Sequence, residues 1–137
     1  MSVPFHYIDL RTFCYDTEDE KRVEAAIRHF LPEDFEVSRV EATGHHGDRI
    51  VVLSARVENA DGMRHVLERL REGADVTRLR EELDERVNEN NAFMAHLDKQ
   101  AAYQGSAELG EGISFRAKVE AYPATREAAV ENAREAL

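Results

Sequence analysis

Apolar and polar positions alternate from Phe5 to Tyr15, with aromatic and β-branched side chains throughout, and this predicts a strand. Ile8, Leu10, Thr12 and Cys14 share one face of it; Phe5, Tyr7, Asp9, Arg11, Phe13 and Tyr15 share the other. The period then lengthens. Val23, Ile27, Phe30 and Leu31 recur at helical spacing, Thr17 stands as N-cap with Glu20 closing a capping box, and Pro32 stops the helix. Phe35 to Thr43 and Arg49 to Val57 return to strand around a G-H-H-G-D hairpin loop, and the I-V-V-L run reads as a central strand. Asp61 caps a helix carrying Val66, Leu67 and Leu70, Gly73 breaks it, and Asp75 or Thr77 starts another through Val76, Leu79, Leu83 and Val87. Ala92 to Leu97 is strand-like, and Asp98 to Tyr103 is open between a helical turn and a continued strand. Gly105 to Leu109 and Ile113 to Tyr122 predict a hairpin around G-E-G, before Pro123 and Thr125 open a last Ala-rich helix.

The order β-α-β-β-α-α-β-β-β-α predicts an α+β fold in two layers: a mostly antiparallel sheet with helices on one face, its first half resembling a split β-α-β unit. No low-complexity linker or internal repeat divides residues 1–137, so one domain is expected, large enough to bury a core without disulfide or metal.

Helices on one side leave the other face of the sheet to solvent or a partner. Strand alternation puts Tyr7, Arg11 and Phe13 on that open face when Ile8, Leu10 and Thr12 face the helices. In the late strand Ile113, Phe115, Ala117 and Val119 point inward, and Arg116, Lys118, Glu120 and Tyr122 outward. Rings to stack and cations for phosphate are the ingredients of a single-strand RNA platform. The same aromatics equally suit a protein interface, covered by a second subunit or by the Val76–Val87 helix. Whether the first and last strands are neighbours is not readable from the sequence.

The stretch from His96 to Pro123 holds two of the chain's three lysines, Lys99 and Lys118, beside Tyr103, Phe115, Arg116 and Tyr122. Lys99 and Gln100 can donate to phosphate oxygens and Tyr103 can stack, while the small residues between them permit close backbone approach. In the competing reading Lys99 pairs with Asp98 or Glu108 and Tyr103 packs.

Asp and Glu total 28 against 18 Lys and Arg, a net charge of −10, and the basic side is nearly all Arg. Acidic excess with few lysines resembles proteins of salt-accumulating archaea; at molar salt the Debye length is ~3 Å and self-repulsion is screened. Phosphate affinity falls steeply with salt, so RNA contact here must draw on stacking, hydrogen bonds and a local basic patch.

Enzyme signatures are missing: there is no Gly-rich phosphate loop, nucleophile elbow or metal-type Cys/His spacing, and no catalytic residue, cofactor or metal is expected. His45, His46 and Asp48 form the one candidate metal cluster, with a polar hairpin tip as the simpler reading; His6, His29, His65 and His96 are scattered. The lone Cys14, inside an apolar run, reads as a buried inert thiol. No apolar run approaches ~18 residues and the N-terminus lacks the pattern of a signal peptide, so a cytoplasmic protein with no membrane partner is expected.

F-M-A-H-L-D-K-Q-A-A-Y-Q-G followed by I-S-F-R-A-K-V-E-A-Y-P resembles an archaeal family of RNA-binding domains described as exosome subunits; the opening F-H-Y-I-D-L-R-T-F-C-Y-D-T-E-D-E-K-R-V and G-H-H-G-D-R-I extend the resemblance over nearly the whole chain. The resemblance implies a fold similar to the 5S-rRNA-binding ribosomal protein of the large subunit, and a place in an RNA-processing complex. The family brings no catalytic motif, so Lys99, Gln100 and Gly105 carry over as motif matches alone. The RNA-contact set is then Tyr7, Arg11, Phe13, Lys99, Gln100, Tyr103, Arg116 and Lys118, with an adaptor that dimerises or docks on a protein as the alternative.

Overall fold

The computed structural model describes residues 3–73 and 75–137; Met1 and Ser2, which open the N-terminal stretch read for a leader, and Ala74 lie outside the described residues. In chain order the elements are β1 (Phe5–Tyr15), α1 (Glu20–Arg28), β2 (Ser38–Thr43), β3 (Arg49–Val57), α2 (Ala60–Gly73), α3 (Val76–Glu81), α4 (Leu83–Arg86), β4 (Ala92–Asp98), α5 (Lys99–Tyr103), β5 (Gly112–Val119) and α6 (Arg126–Ala136).

The five strands form one sheet in the order β2-β3-β1-β5-β4, and every neighbouring pair is antiparallel. Two antiparallel steps make β1 and β2 parallel with β3 between them, the split β-α-β unit expected from the first half. β1 takes the centre, and β3 is interior, paired on both edges.

Period-two burial builds the core. Ile8, Leu10, Val51, Leu53, Ile113 and Phe115 point into the helical layer, where Ile27, Phe30, Leu67, Leu70, Leu79 and Leu83 meet them fully or almost fully buried. Phe93 and Phe115 pack edge to face at 5.9 Å, and burying each ring stabilises the fold by about 1.5–3 kcal/mol. Thr12, buried among them, donates its hydroxyl to the Gly112 carbonyl at 2.7 Å, so its polar atom is satisfied inside the sheet.

Several expectations need correction. Phe5 is buried with Ile8 rather than exposed with Tyr7, because a register shift between Phe5 and Tyr7 adds a residue and turns the ring inward. Asp19, not Thr17, caps α1 by accepting from the Lys21 N–H, which leaves the Glu20 carboxylate free to take Arg39. β2 begins at Ser38, not Phe35. Asn59, not Asp61, accepts the Gly62 N–H at the start of α2. The Val76–Val87 segment is two short helices that meet at Glu82. It buries Leu79, Leu83 and Val87 in the same cluster as Phe93 and Phe115, so it lies in the helical layer and leaves the aromatics of the open face uncovered. β5 ends at Val119 and no strand runs from Gly105 to Leu109. Gly105 and Ser106 donate back to α5 instead, and Glu108 and the following Gly110 bond the end of β4 (Asp98 N–H to Glu108 O, Gly110 N–H to His96 O). The stretch passes so near α2 that a Cβ on Gly73 would sit 2.5 Å from the Ala107 carbonyl oxygen.

Candidate nucleic-acid interface

Directly paired residues share a face, so the register lays out the open side of the sheet row by row. Tyr7 lies opposite Lys118. The next row crosses four strands as Arg56–Asp9–Arg116–Met94, and the one after crosses all five as Ser38–Ser54–Arg11–Ser114–His96. Beyond it come Val40–Val52–Phe13 and then Ala42–Ile50–Tyr15.

The face therefore has two halves. The half around β1, β3 and β5 carries four cations, Arg11, Arg56, Arg116 and Lys118, against the single carboxylate of Asp9 in those three rows. The other half is apolar, with Phe13 36%, Tyr15 50% and Val40 56% exposed. A shallow depression of about 410 Å³ opens in the cationic half between Arg11, Arg56 and Arg116.

Within this half Asp9 grips Arg56 through two parallel bonds of 2.8 and 2.9 Å, and the guanidinium carbon sits 3.9 Å above the centre of the Tyr7 ring. Asp9 holds the Arg56 pKa above its ordinary value, so the charge is fixed. Arg11 leans over Phe13 at 5.5 Å. Among the described residues neither Arg11 nor Arg116 has a carboxylate partner. Lys118 reaches the Asn90 carbonyl oxygen.

Lys99, Gln100 and Tyr103 are elsewhere, at the junction of α1 and α5 past the end of β1. The Lys99 ammonium, its side chain only 18% exposed, donates to the Phe13 carbonyl at 2.8 Å and to both Glu18 oxygens at 3.0 Å. Its anionic partner is Glu18 rather than Asp98 or Glu108. Arg22 covers the Tyr103 ring at 5.3 Å. The L-D-K-Q-A-A-Y-Q-G string is a single helical turn capped at both ends. Asp98 accepts the Ala101 N–H at 2.8 Å. Gly105, at φ +87°, closes the other end as Gly105 N–H bonds Ala102 O and Ser106 N–H bonds Ala101 O, the Schellman pattern. Ala101 and Ala102 are buried against the fold. The sequence string marks a packed corner.

The His45 and His46 rings meet at 5.1 Å on the hairpin tip. Among the described residues no three His, Cys, Asp or Glu side chains are grouped as metal ligands. No helix of the described residues is long and apolar enough to cross a membrane.

A family model described as RNA binding matches residues 7–119. The chain belongs to this RNA-binding family. The RNA-binding protein PAB1135 of Pyrococcus abyssi is 36% identical over 96% of this chain and 93% of its own length. Mth689, a DUF54 protein of Methanothermobacter thermautotrophicus, superposes with a TM-score of 0.79 at 37% identity, covering 97% of this chain and 98% of that one. Protein AF2318 of Archaeoglobus fulgidus, also DUF54, superposes with a TM-score of 0.86 at 27% identity over 97% of this chain and 99% of its own.

The stretch matched by the RNA-binding family begins at Tyr7 and ends at Val119, so it spans every strand of the open face. Five polar residues of that face were not singled out from the sequence: Arg56, Ser54, Ser114, His96 and Ser38. The signal for the first two was present. Ile50, Val52, Ser54 and Arg56 alternate with Val51, Leu53, Ala55 and Val57, but the I-V-V-L run masks the period by filling both faces with apolar residues.

Proposed function

We propose that this protein is a non-catalytic RNA-associated α+β domain that holds single-stranded RNA on its open sheet face. The observation that carries the reading is local: four cations gather against one carboxylate in a chain of net charge −10, beside rings able to stack. Family membership and the relative named as an RNA-binding protein support it. Tyr7, Arg11, Phe13, Arg116 and Lys118 belong to the contact surface. Lys99 and Tyr103 brace the corner beside it, and Gln100 stands exposed next to them. The sequence resemblance supports a role as accessory subunit of a cytoplasmic RNA-processing complex such as the exosome. The lysine-poor acidic composition supports a salt-accumulating host.

The test is the salt dependence of binding to a labelled single-stranded RNA, followed by fluorescence anisotropy. Each phosphate contact contributes a slope of about −0.7 in log K against log salt. Exchanging Arg11 and Arg116 together for Gln should therefore flatten the slope by about 1.4. An unchanged slope and affinity in the double variant sink the site.

The apolar half favours a second reading, in which a homodimer or a protein partner docks there through Val40, Phe13 and Tyr15. Sedimentation of wild type and Val40→Glu tests it: self-association abolished by the charge supports docking, and a monomer in both removes the homodimer form of this reading.

A further inference from the structure

Arg56 is a planar cation held in place at the surface on two sides. An exposed Arg ordinarily samples many rotamers and loses that freedom when it binds. At Arg56 one edge of the guanidinium is fixed by the Asp9 fork and one face is backed by the Tyr7 ring. The side chain is nevertheless 53% exposed. Clamped on an edge and on one face, the group has its second face left to meet a flat ligand. The same geometry covers Tyr7, so the stacking surface at this end of the sheet is the guanidinium.

Beside it lies the depression of about 410 Å³, within the ~300–1,000 Å³ range of small-molecule sites. Arg116 is in register with Asp9, and Arg11 is its diagonal neighbour across β1 and β5. Diagonal pairs on one face are about 7–8 Å apart, which lets two long side chains converge on one phosphate. Ser54 and Ser114 flank Arg11 in register on either side and add hydroxyls, and Met94 closes the wall next to Arg116.

We infer that Arg56 is the base-stacking platform of this face, and that the depression seats one nucleotide of single-stranded RNA, its base on the guanidinium and its phosphate between Arg11 and Arg116. The inference rests on the RNA reading above and adds a residue and a mode to it. Arg planes are known surfaces for unstacked RNA bases, and an ammonium has neither the plane nor the fork.

The experiment compares an oligo(U) octamer with an abasic ribose-phosphate octamer of equal length, at one fixed salt concentration and by anisotropy, against wild type, Arg56→Lys and Asp9→Asn. Arg56→Lys keeps the charge and removes the plane. It should weaken oligo(U) about tenfold, the size of losing one stacked base, while abasic affinity stays at the wild-type value. Asp9→Asn releases the clamp and also removes the one carboxylate among the cations, so abasic affinity should rise while the ratio of oligo(U) to abasic affinity falls as it does in Arg56→Lys. Arg56→Lys within twofold of wild type on oligo(U), or equal weakening of both octamers, overturns the inference and leaves the RNA reading standing. Wild type binding neither octamer overturns both, and self-association of that protein would give the face to protein docking.

Discussion

Lys99→Ala separates a structural corner from a binding surface. The side chain makes a hydrogen bond of 2.8 Å to the Phe13 carbonyl and two of 3.0 Å to the Glu18 carboxylate. A hydrogen bond to a charged group contributes about 1.5–3 kcal/mol when sheltered. Lys99 is 18% and Glu18 31% exposed, so water reclaims part of the carboxylate and the ion-pair share is discounted to about 1 kcal/mol. With about 1 kcal/mol from the carbonyl contact the loss is about 2 kcal/mol. For a chain of this size that lowers Tm by roughly 6–10 °C. Calorimetry reads the shift, and RNA anisotropy well below either Tm should give wild-type affinity. A Tm within 1 °C of wild type together with a large loss of RNA affinity would refute the reasoning and return Lys99 to the contact surface.

Two other expectations follow from the same region and its neighbour. Gly105→Ala puts a Cβ on a residue at φ +87° with open space around it; the cost is backbone strain of about 1 kcal/mol, read as a lower urea midpoint with an unchanged m-value. Glu20 accepts from Arg39, which holds its carboxyl below the ordinary carboxylate range. A depressed folded-state pKa gives stability that is present above the unfolded value and lost as pH falls through the folded one. The Tm gap between wild type and Glu20→Gln should therefore be full at neutral pH and narrow as acid takes the solution below the ordinary carboxylate range; a gap that widens with acid contradicts the assignment.

The sequence carried the alternation of β1, the bounds of β3 and the buried stripe of α1, because each is a short-range period. It also separated Ile113, Phe115 and Val119 from Arg116 and Lys118. Strand order was out of reach: β1 meets β5 across about a hundred residues, as in the Thr12–Gly112 hydrogen bond, and no local pattern encodes that pairing. The Gly105–Leu109 stretch looked like a strand because it is short and flanked by glycines, yet its first two N–H groups close the end of α5 and Glu108 bonds the end of β4. The L-D-K-Q-A-A-Y-Q-G string suggested a phosphate contact through Lys99 and Gln100, and only the fold reveals Glu18 as the lysine's partner. Arg56 was hidden for a related reason, since its value comes from Asp9 and Tyr7, residues 47 and 49 positions earlier that β-pairing brings together.

The most direct test of the central claim is a map of backbone amide shifts in the labelled protein as oligo(U) is added. Contact through the cationic half predicts that shifts concentrate on β1, β3 and β5 around Asp9, Arg11, Arg56 and Arg116, with α1 and α6 unmoved. Shifts confined to the helical layer, or none at any RNA concentration, would contradict it.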